Sequence, residues 1–256
     1  MTFTADSKLA ANVHAAANVE PRHGVKRPSL LILHYTGMSS AAKAIDWLAR
    51  EESRVSCHYV IDEAGTITQM VPERLRAWHA GVSFWRGERD INSHSIGIEI
   101  QNPGHEHGYP AFPPRQMAAV IALGKDIVAR NAMRSDGVLA HSDVAPARKV
   151  DPGEKFKWAE LAHHGLGEWV RASPVKPEDA GLGTGATGET VQSAQEMLAA
   201  YGYEIAATGT LDAATSKVLR AFQLHFRPRR VDGRLDRSTL LTLTRLVNAA
   251  QRLKTA

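Results

Sequence analysis

The chain has 256 residues, 43% hydrophobic and 23% charged, an ordinary balance for a folded globular protein that excludes disordered and fibrous classes. Cys57 is the only cysteine, which excludes an intramolecular disulfide and a cysteine-built structural zinc cluster, so any metal site must use histidine and carboxylate. The net charge of +4 is uneven: from Glu189 onward ten Lys/Arg face six Asp/Glu, leaving 21 against 21 before it, and such a basic tail suits either an acidic polymer or plain solvation.

Along the first 28 residues, Asp6, Lys8, Asn12 and His14 interrupt what a secretory signal would need as an apolar stretch of roughly 7–15 residues. No export signal is expected, and residues 1–26 read as an N-terminal extension. No run approaches the roughly 18 apolar residues of a membrane span, so no integral membrane association is expected.

From Ser29 the hydrophobic pattern alternates between strand and helix. Strands are expected over Ser29 to Tyr35, Ser56 to Asp62, Thr66 to Val71, Ser95 to Gln101 and Val138 to Ser142. Helices are expected over Ser39 to Glu52, Pro113 to Asn131 and Trp158 to Val170, with Ser39 or Ser40 capping the first and a first-turn proline opening the second. This is an α/β pattern, a central mixed sheet flanked by helices, spanning residues 27–171.

Residues 172–188, dense in Pro, Gly, Ala, Ser and Thr, have linker composition. Beyond them, Gly209, Leu211, Asp212 and Thr215 recur as Gly233, Leu235, Asp236 and Thr239 at an offset of 24 residues. With a first helix over Glu189 to Tyr201 and Asp212 and Asp236 as caps, residues 189–256 read as a small all-α domain of three helices.

Of the twelve histidines most read as ordinary. His105 and His107 lie in a Pro/Gly loop with no third ligand near in sequence, and His163 and His164 are neighbours on a helix and cannot both face one metal. His34 and His141 differ because each ends a short apolar strand, where catalytic groups of α/β proteins gather. Ten residues past His141, an extended Lys149-Val150-Asp151 points its ammonium and carboxylate to one side. Two imidazoles and a carboxylate are the protein ligands of a catalytic zinc. A surface Lys/Asp pair before a Pro-Gly turn fits the same spacing. Glu99 interrupts the apolar Ser95-Ile96-Gly97-Ile98-Glu99-Ile100, where burial without partners costs several kcal/mol; a solvent-facing strand position fits the alternation equally.

The ordered segments LHYT (33–36), CHYVIDEAGTITQMV (57–71), WHAG (78–81), SIGIEI (95–100), AHSD (140–143) and RKVDPGEKFKW (148–158) resemble the zinc-dependent N-acetylmuramoyl-L-alanine amidases of the second amidase family, AmpD-type enzymes related to peptidoglycan recognition proteins. The resemblance covers roughly residues 27–171, and the segment after the linker resembles a helical peptidoglycan-binding module. It implies one Zn2+ per chain held by His34, His141 and Asp151. It also implies Glu99 as general base turned acid, Lys149 as oxyanion stabiliser, and a substrate cleft that includes Tyr35, His58, Trp78, His79 and Asn92. The implied reaction is hydrolysis of the amide between N-acetylmuramic acid and L-alanine, in peptidoglycan or in muropeptides, during wall turnover or recycling.

A non-catalytic recognition protein is the alternative, but it would be expected to have lost a ligand or Glu99, and all five positions hold the expected residue. Nucleic-acid binding rests only on Arg227-Pro228-Arg229-Arg230 and a basic pI, without a recognised motif, and is not expected. A wall-binding module points to the cell envelope and the missing signal to the cytoplasm; no oligomeric state follows from the sequence.

Overall fold

Two hydrophobic strands set the architecture, β3 (Leu30–Tyr35) and β7 (Ser95–Ile100), which lie side by side in parallel with Leu31 opposite Ile96, Leu33 opposite Ile98 and His34 opposite Glu99. In the computed structural model, which describes residues 3–255, they form the centre of a six-stranded mixed sheet. The spatial order is β1 (Asn12–Val13), β5 (Ile67–Gln69), β4 (Tyr59–Ile61), β7, β3 and β8 (Val138–Ala140), with only the β4–β5 pair antiparallel. Parallel strands covered on both faces need nearly continuous apolar sequence, which LLILHY and SIGIEI supply.

Alternation sorts the side chains between the two faces. Leu31, Leu33, Ile96, Ile98 and Ile100 meet helix α3 (Pro114–Asn131) through Met117, Val120, Leu123 and Ile127. Pro113 caps α3 without costing it a hydrogen bond, and Ala132 ends it in the left-handed conformation. On the opposite face, helix α1 (Ala41–Ala49), capped by Ser40 accepting from the Lys43 N–H at 3.3 Å, buries Ala41, Ala44 and Leu48 beside Val60.

The final helices occupy more of that second face than expected. Helices α6 (Glu189–Tyr201), α7 (Ala213–Phe226) and α8 (Arg237–Thr255) share one buried apolar cluster with Ile32, Leu139, Val144, Trp85 and Ile91 of the sheet side. Both repeat aspartates cap as expected: Asp212 accepts from the Thr215 N–H at 2.7 Å and Asp236 from the Thr239 N–H at 2.6 Å.

Three expectations are corrected. Residues 3–26 are more than an appended extension, because they pair with the catalytic part: β1 adds an edge strand to the main sheet and β2 (Val19–Pro21) pairs with β6 (Leu75–Ala77), while Arg22 donates to the carbonyls of Glu73, Asn92, Ser93 and Ser95. Residues 172–188 do not run free, because Ser238 Oγ donates to the Ser173 carbonyl at 2.6 Å, Leu182 bridges to Leu235, and Asp179 accepts from the Arg237 N–H. The helix expected over Trp158 to Val170 is only Trp158–His163 (α5), stopped where Gly165 adopts positive φ. Among the described residues no helix is long and apolar enough to cross a membrane.

Candidate metal centre

The same alternation that buries Ile32 and Leu139 carries His34 and Glu99 to one end of one face, and His141 follows directly on β8 at the start of a short helix, α4 (His141–Val144). The chain then loops back: the Ser142 N–H donates to the Asp151 carbonyl at 3.0 Å, which holds the Asp151 side chain against both imidazoles. His34 Nδ1 lies 2.8 Å from His141 Nδ1, and Asp151 Oδ2 lies 3.0 Å from His141 Nδ1 and 3.3 Å from His34 Nδ1. All three residues are buried.

This geometry can hold a cation. His141 Nε2 faces the Ala80 carbonyl at 3.1 Å, which can only accept, so that nitrogen carries the proton and Nδ1 presents a lone pair. His34 Nδ1 and Asp151 Oδ2 converge on the same point, and among the described residues these three are the one His/Cys/Asp/Glu group whose ligand atoms all lie within 4.8 Å. Two imidazole nitrogens and a carboxylate oxygen suit zinc with a fourth position left open. Burial, then the neighbouring His141, pushes the His34 pKa down to about 4, so the ring stays neutral and available as a ligand.

Glu99 and Lys149 face this centre across a cleft of about 570 Å³. Burial, reinforced by the Asp151 charge, pushes the Glu99 carboxyl well above the usual carboxylate range, while Lys149 pulls it down. Glu99 Oε2 is buried and unpartnered, and Lys149 Nζ has no hydrogen bond or ion pair among the described residues. A buried carboxyl with a strongly raised pKa and an unpartnered ammonium at one cleft are the kind of groups that mark a candidate functional site.

The other predicted residues divide. Tyr35 and Trp78 line the cleft, Trp78 steadied by its Nε1–H to Glu20 Oε1 at 3.0 Å. His58 lies behind the wall: its Nδ1 accepts from the Gly97 N–H at 3.0 Å and its Nε2 donates to the Leu75 carbonyl at 3.1 Å. His79 is nearly buried but still borders the cleft beside Trp78, and Asn92 braces it: Asn92 Oδ1 accepts from the His79 N–H at 3.0 Å and the Ala80 N–H at 2.8 Å. His105 and His107, read from sequence as a loop pair of no consequence, stand at the cleft mouth, where His105 stacks on Tyr109 and its Nδ1 approaches Tyr35 Oη at 3.1 Å. Trp47, which also lines the cleft, was missed; the available signal was a tryptophan just off the buried stripe of α1. His163 and His164 are exposed.

Burial, the largest cause for each, also pushes His58 down to about 3 and His79 well below its ordinary value. A folded pKa below the unfolded one means that unfolding takes up a proton. Stability therefore falls as pH drops from about 6.5 towards the folded values, by up to roughly 1.4 kcal/mol per pH unit for each such histidine. Thermal unfolding of zinc-stripped protein between about pH 7 and pH 5 should show a falling midpoint; a flat profile would mean that these rings are solvated.

Residues 24–154 match the family model described as N-acetylmuramoyl-L-alanine amidase, and residues 187–243 match one described as a peptidoglycan binding domain. The chain is 39% identical over 228 residues to the N-acetylmuramoyl-L-alanine amidase AmiD of Escherichia coli, covering 83% of this chain and 80% of that protein. Its structure is similar to that of Escherichia coli AmiD in complex with anhydro-N-acetylmuramic acid-L-Ala-D-gamma-Glu-L-Lys, with a TM-score of 0.74, 32% identity and coverage of 91% and 98% of the two chains. AmpDh3 from Pseudomonas aeruginosa is also similar, with a TM-score of 0.74, 32% identity and coverage of 88% and 93%. Since the sequence match spans most of both proteins and the fold converges buried zinc-type ligands on one cleft, the chain belongs to the N-acetylmuramoyl-L-alanine amidase family.

Proposed function

We propose that the chain is a zinc amidase that hydrolyses the lactyl amide between N-acetylmuramic acid and L-alanine, with one Zn2+ held by His34 Nδ1, His141 Nδ1 and Asp151 Oδ2. The observation that carries this reading is the convergence of three lone pairs beside an unpartnered carboxyl and an unpartnered ammonium. Bound zinc supplies Lewis acidity and lowers the pKa of its water to about 7. Glu99 takes the proton of the attacking water and passes it to the departing alanine nitrogen. Lys149 stabilises the oxyanion that develops on the lactyl carbonyl, a contribution of roughly 3–4 kcal/mol when a single such donor is lost.

The catalytic unit is residues 27–171, completed by the strands of the N-terminal segment, and residues 189–256 are the wall-binding part, joined by 172–188. Muropeptides or peptidoglycan are the substrates, with Tyr35 and Trp78 contacting the sugar or stem peptide. His58 and Asn92, by their inward hydrogen bonds, support the wall from behind, and His79 forms part of the wall.

Hydrolysis of purified muropeptides followed by mass spectrometry tests the reading. Free stem peptide should appear, vanish on chelation and return with added zinc. Binding without release, from both anhydro and reduced muropeptides, would make the chain a recognition protein instead.

A further inference from the structure

Both metal-facing imidazoles are held by one short segment of chain, and its hydrogen bonds leave only one arrangement of protons. The Ile91 carbonyl is the fixed end. Ser95 Oγ lies 2.6 Å from it, and because a carbonyl cannot donate, the serine hydroxyl proton must point there. Ser95 Oγ is then an acceptor towards His79 Nε2 at 3.1 Å, so His79 is protonated on Nε2 and bare on Nδ1. His79 Nδ1 lies 3.0 Å from His34 Nε2, which must therefore carry its own proton there and leave Nδ1 bare towards the metal position. The opposite polarity would set Ser95 Oγ against the Ile91 oxygen at 2.6 Å with no proton between them.

The next residue does the same for the second ligand. The Ala80 carbonyl accepts from His141 Nε2 at 3.1 Å and from Arg148 Nη2 at 2.9 Å, filling both its lone pairs. Asn92 Oδ1, receiving both the His79 and the Ala80 N–H, fixes this two-residue platform to the short helix α2 (Ile91–His94). Room for the His79 ring comes from Gly97: a Cβ there would stand 2.5 Å from His79 Cγ, which accounts for a glycine in the middle of a buried strand.

We propose that His79, anchored by Ser95 and Asn92, is a positioning residue that selects the His34 tautomer, and that the Ala80 carbonyl does so for His141, so that this platform presets both imidazoles for zinc. Outer partners of metal-bound histidines set ring orientation and ligand basicity, and their loss typically weakens metal binding about 10–100-fold.

The inference rests on the zinc reading above. Zinc affinity measured by competition with a chromophoric chelator, on wild type, His79→Leu, His79→Asn and Ser95→Ala, tests it together with the melting temperature of each stripped protein. His79→Leu should bind zinc about 10–100-fold more weakly, and His79→Asn should recover part of that loss because its amide oxygen can stand near the lost Nδ1. In nitrogen-15 spectra of the zinc-loaded wild type, His79 should carry its proton on Nε2. A His79→Leu affinity within about twofold of wild type, or a His79 proton on Nδ1, would overturn the proposal. So would a drop in melting temperature with unchanged affinity, since that is the signature of packing alone. A wild-type chain that binds no zinc would instead sink the zinc reading itself.

Discussion

Glu99→Gln is expected to slow muropeptide hydrolysis by about 10²–10⁴-fold, the usual contribution of a positioned general acid–base, with zinc content unchanged. The substitution keeps the shape of the side chain and removes only its ability to take a proton. It should also stabilise the fold. Glu99 Oε2 is buried without a partner and its carboxyl is held well above the usual range, so the native state bears a desolvation cost that a neutral amide reduces. A higher melting temperature combined with lost turnover is the pattern of a group kept for chemistry rather than for folding. Activity within tenfold of wild type at unchanged zinc content would remove Glu99 from the mechanism.

The second large effect is expected where the helical part meets the catalytic part. Asp143 is wholly buried and accepts three hydrogen bonds: from the Ala140 N–H at 2.8 Å, from Tyr203 Oη at 2.6 Å and from His225 Nδ1 at 2.7 Å. Two of the three donors come from the C-terminal segment, and Asp143 lies two residues from His141. Around this clamp, His225 stacks on Trp158 at 3.7 Å, and the Trp85 ring packs edge-on against Tyr201 and Tyr203.

Combining Tyr203→Phe with His225→Leu leaves the Asp143 carboxylate in a dry site with a single donor. A loss on the order of 3–5 kcal/mol is expected in denaturant unfolding, since each of the two lost hydrogen bonds to a charged group is worth about 1.5–3 kcal/mol. Adding Asp143→Leu should recover part of it, because the orphaned charge goes too. A loss below about 1 kcal/mol would mean that the helices are only loosely attached. The clamp also bears on experiment: truncation near residue 171 would expose Trp85, Leu139 and Val144, which share a core with the helices, so wall binding is better tested by surface substitutions in the full chain.

Residues at the ends of apolar strands were legible as candidates because buried strands have few reasons to carry a polar ring. His34 and His141 stood out in this way and Glu99 as a carboxylate inside an apolar strand, and most strands and helices followed from periodicity and from caps such as Ser40, Asp212 and Asp236. Their joint identity as a site came from the family resemblance.

What a one-dimensional pattern cannot hold is register and long-range pairing. That His34 stands opposite Glu99 depends on a parallel pairing between strands some sixty residues apart. That His58 and Asn92 turn inward, whereas His79, His105 and Trp47 reach the cleft, depends on which backbone atoms happen to lie beside them. The N-terminal segment read as an extension and residues 172–188 as a linker because they lack a clear hydrophobic period. Their order comes from hydrogen bonds to distant chain, such as those of Arg22 and Ser173, which composition does not record. The sequence by itself therefore determined most of the main strands and helices and the family, and it marked the candidate ligand positions, since these rest on local pattern and motif. Only the tertiary structure decided which side chains face the cleft, which proton each buried ring carries, and that the two parts share one core, since these rest on contacts between residues far apart in the chain.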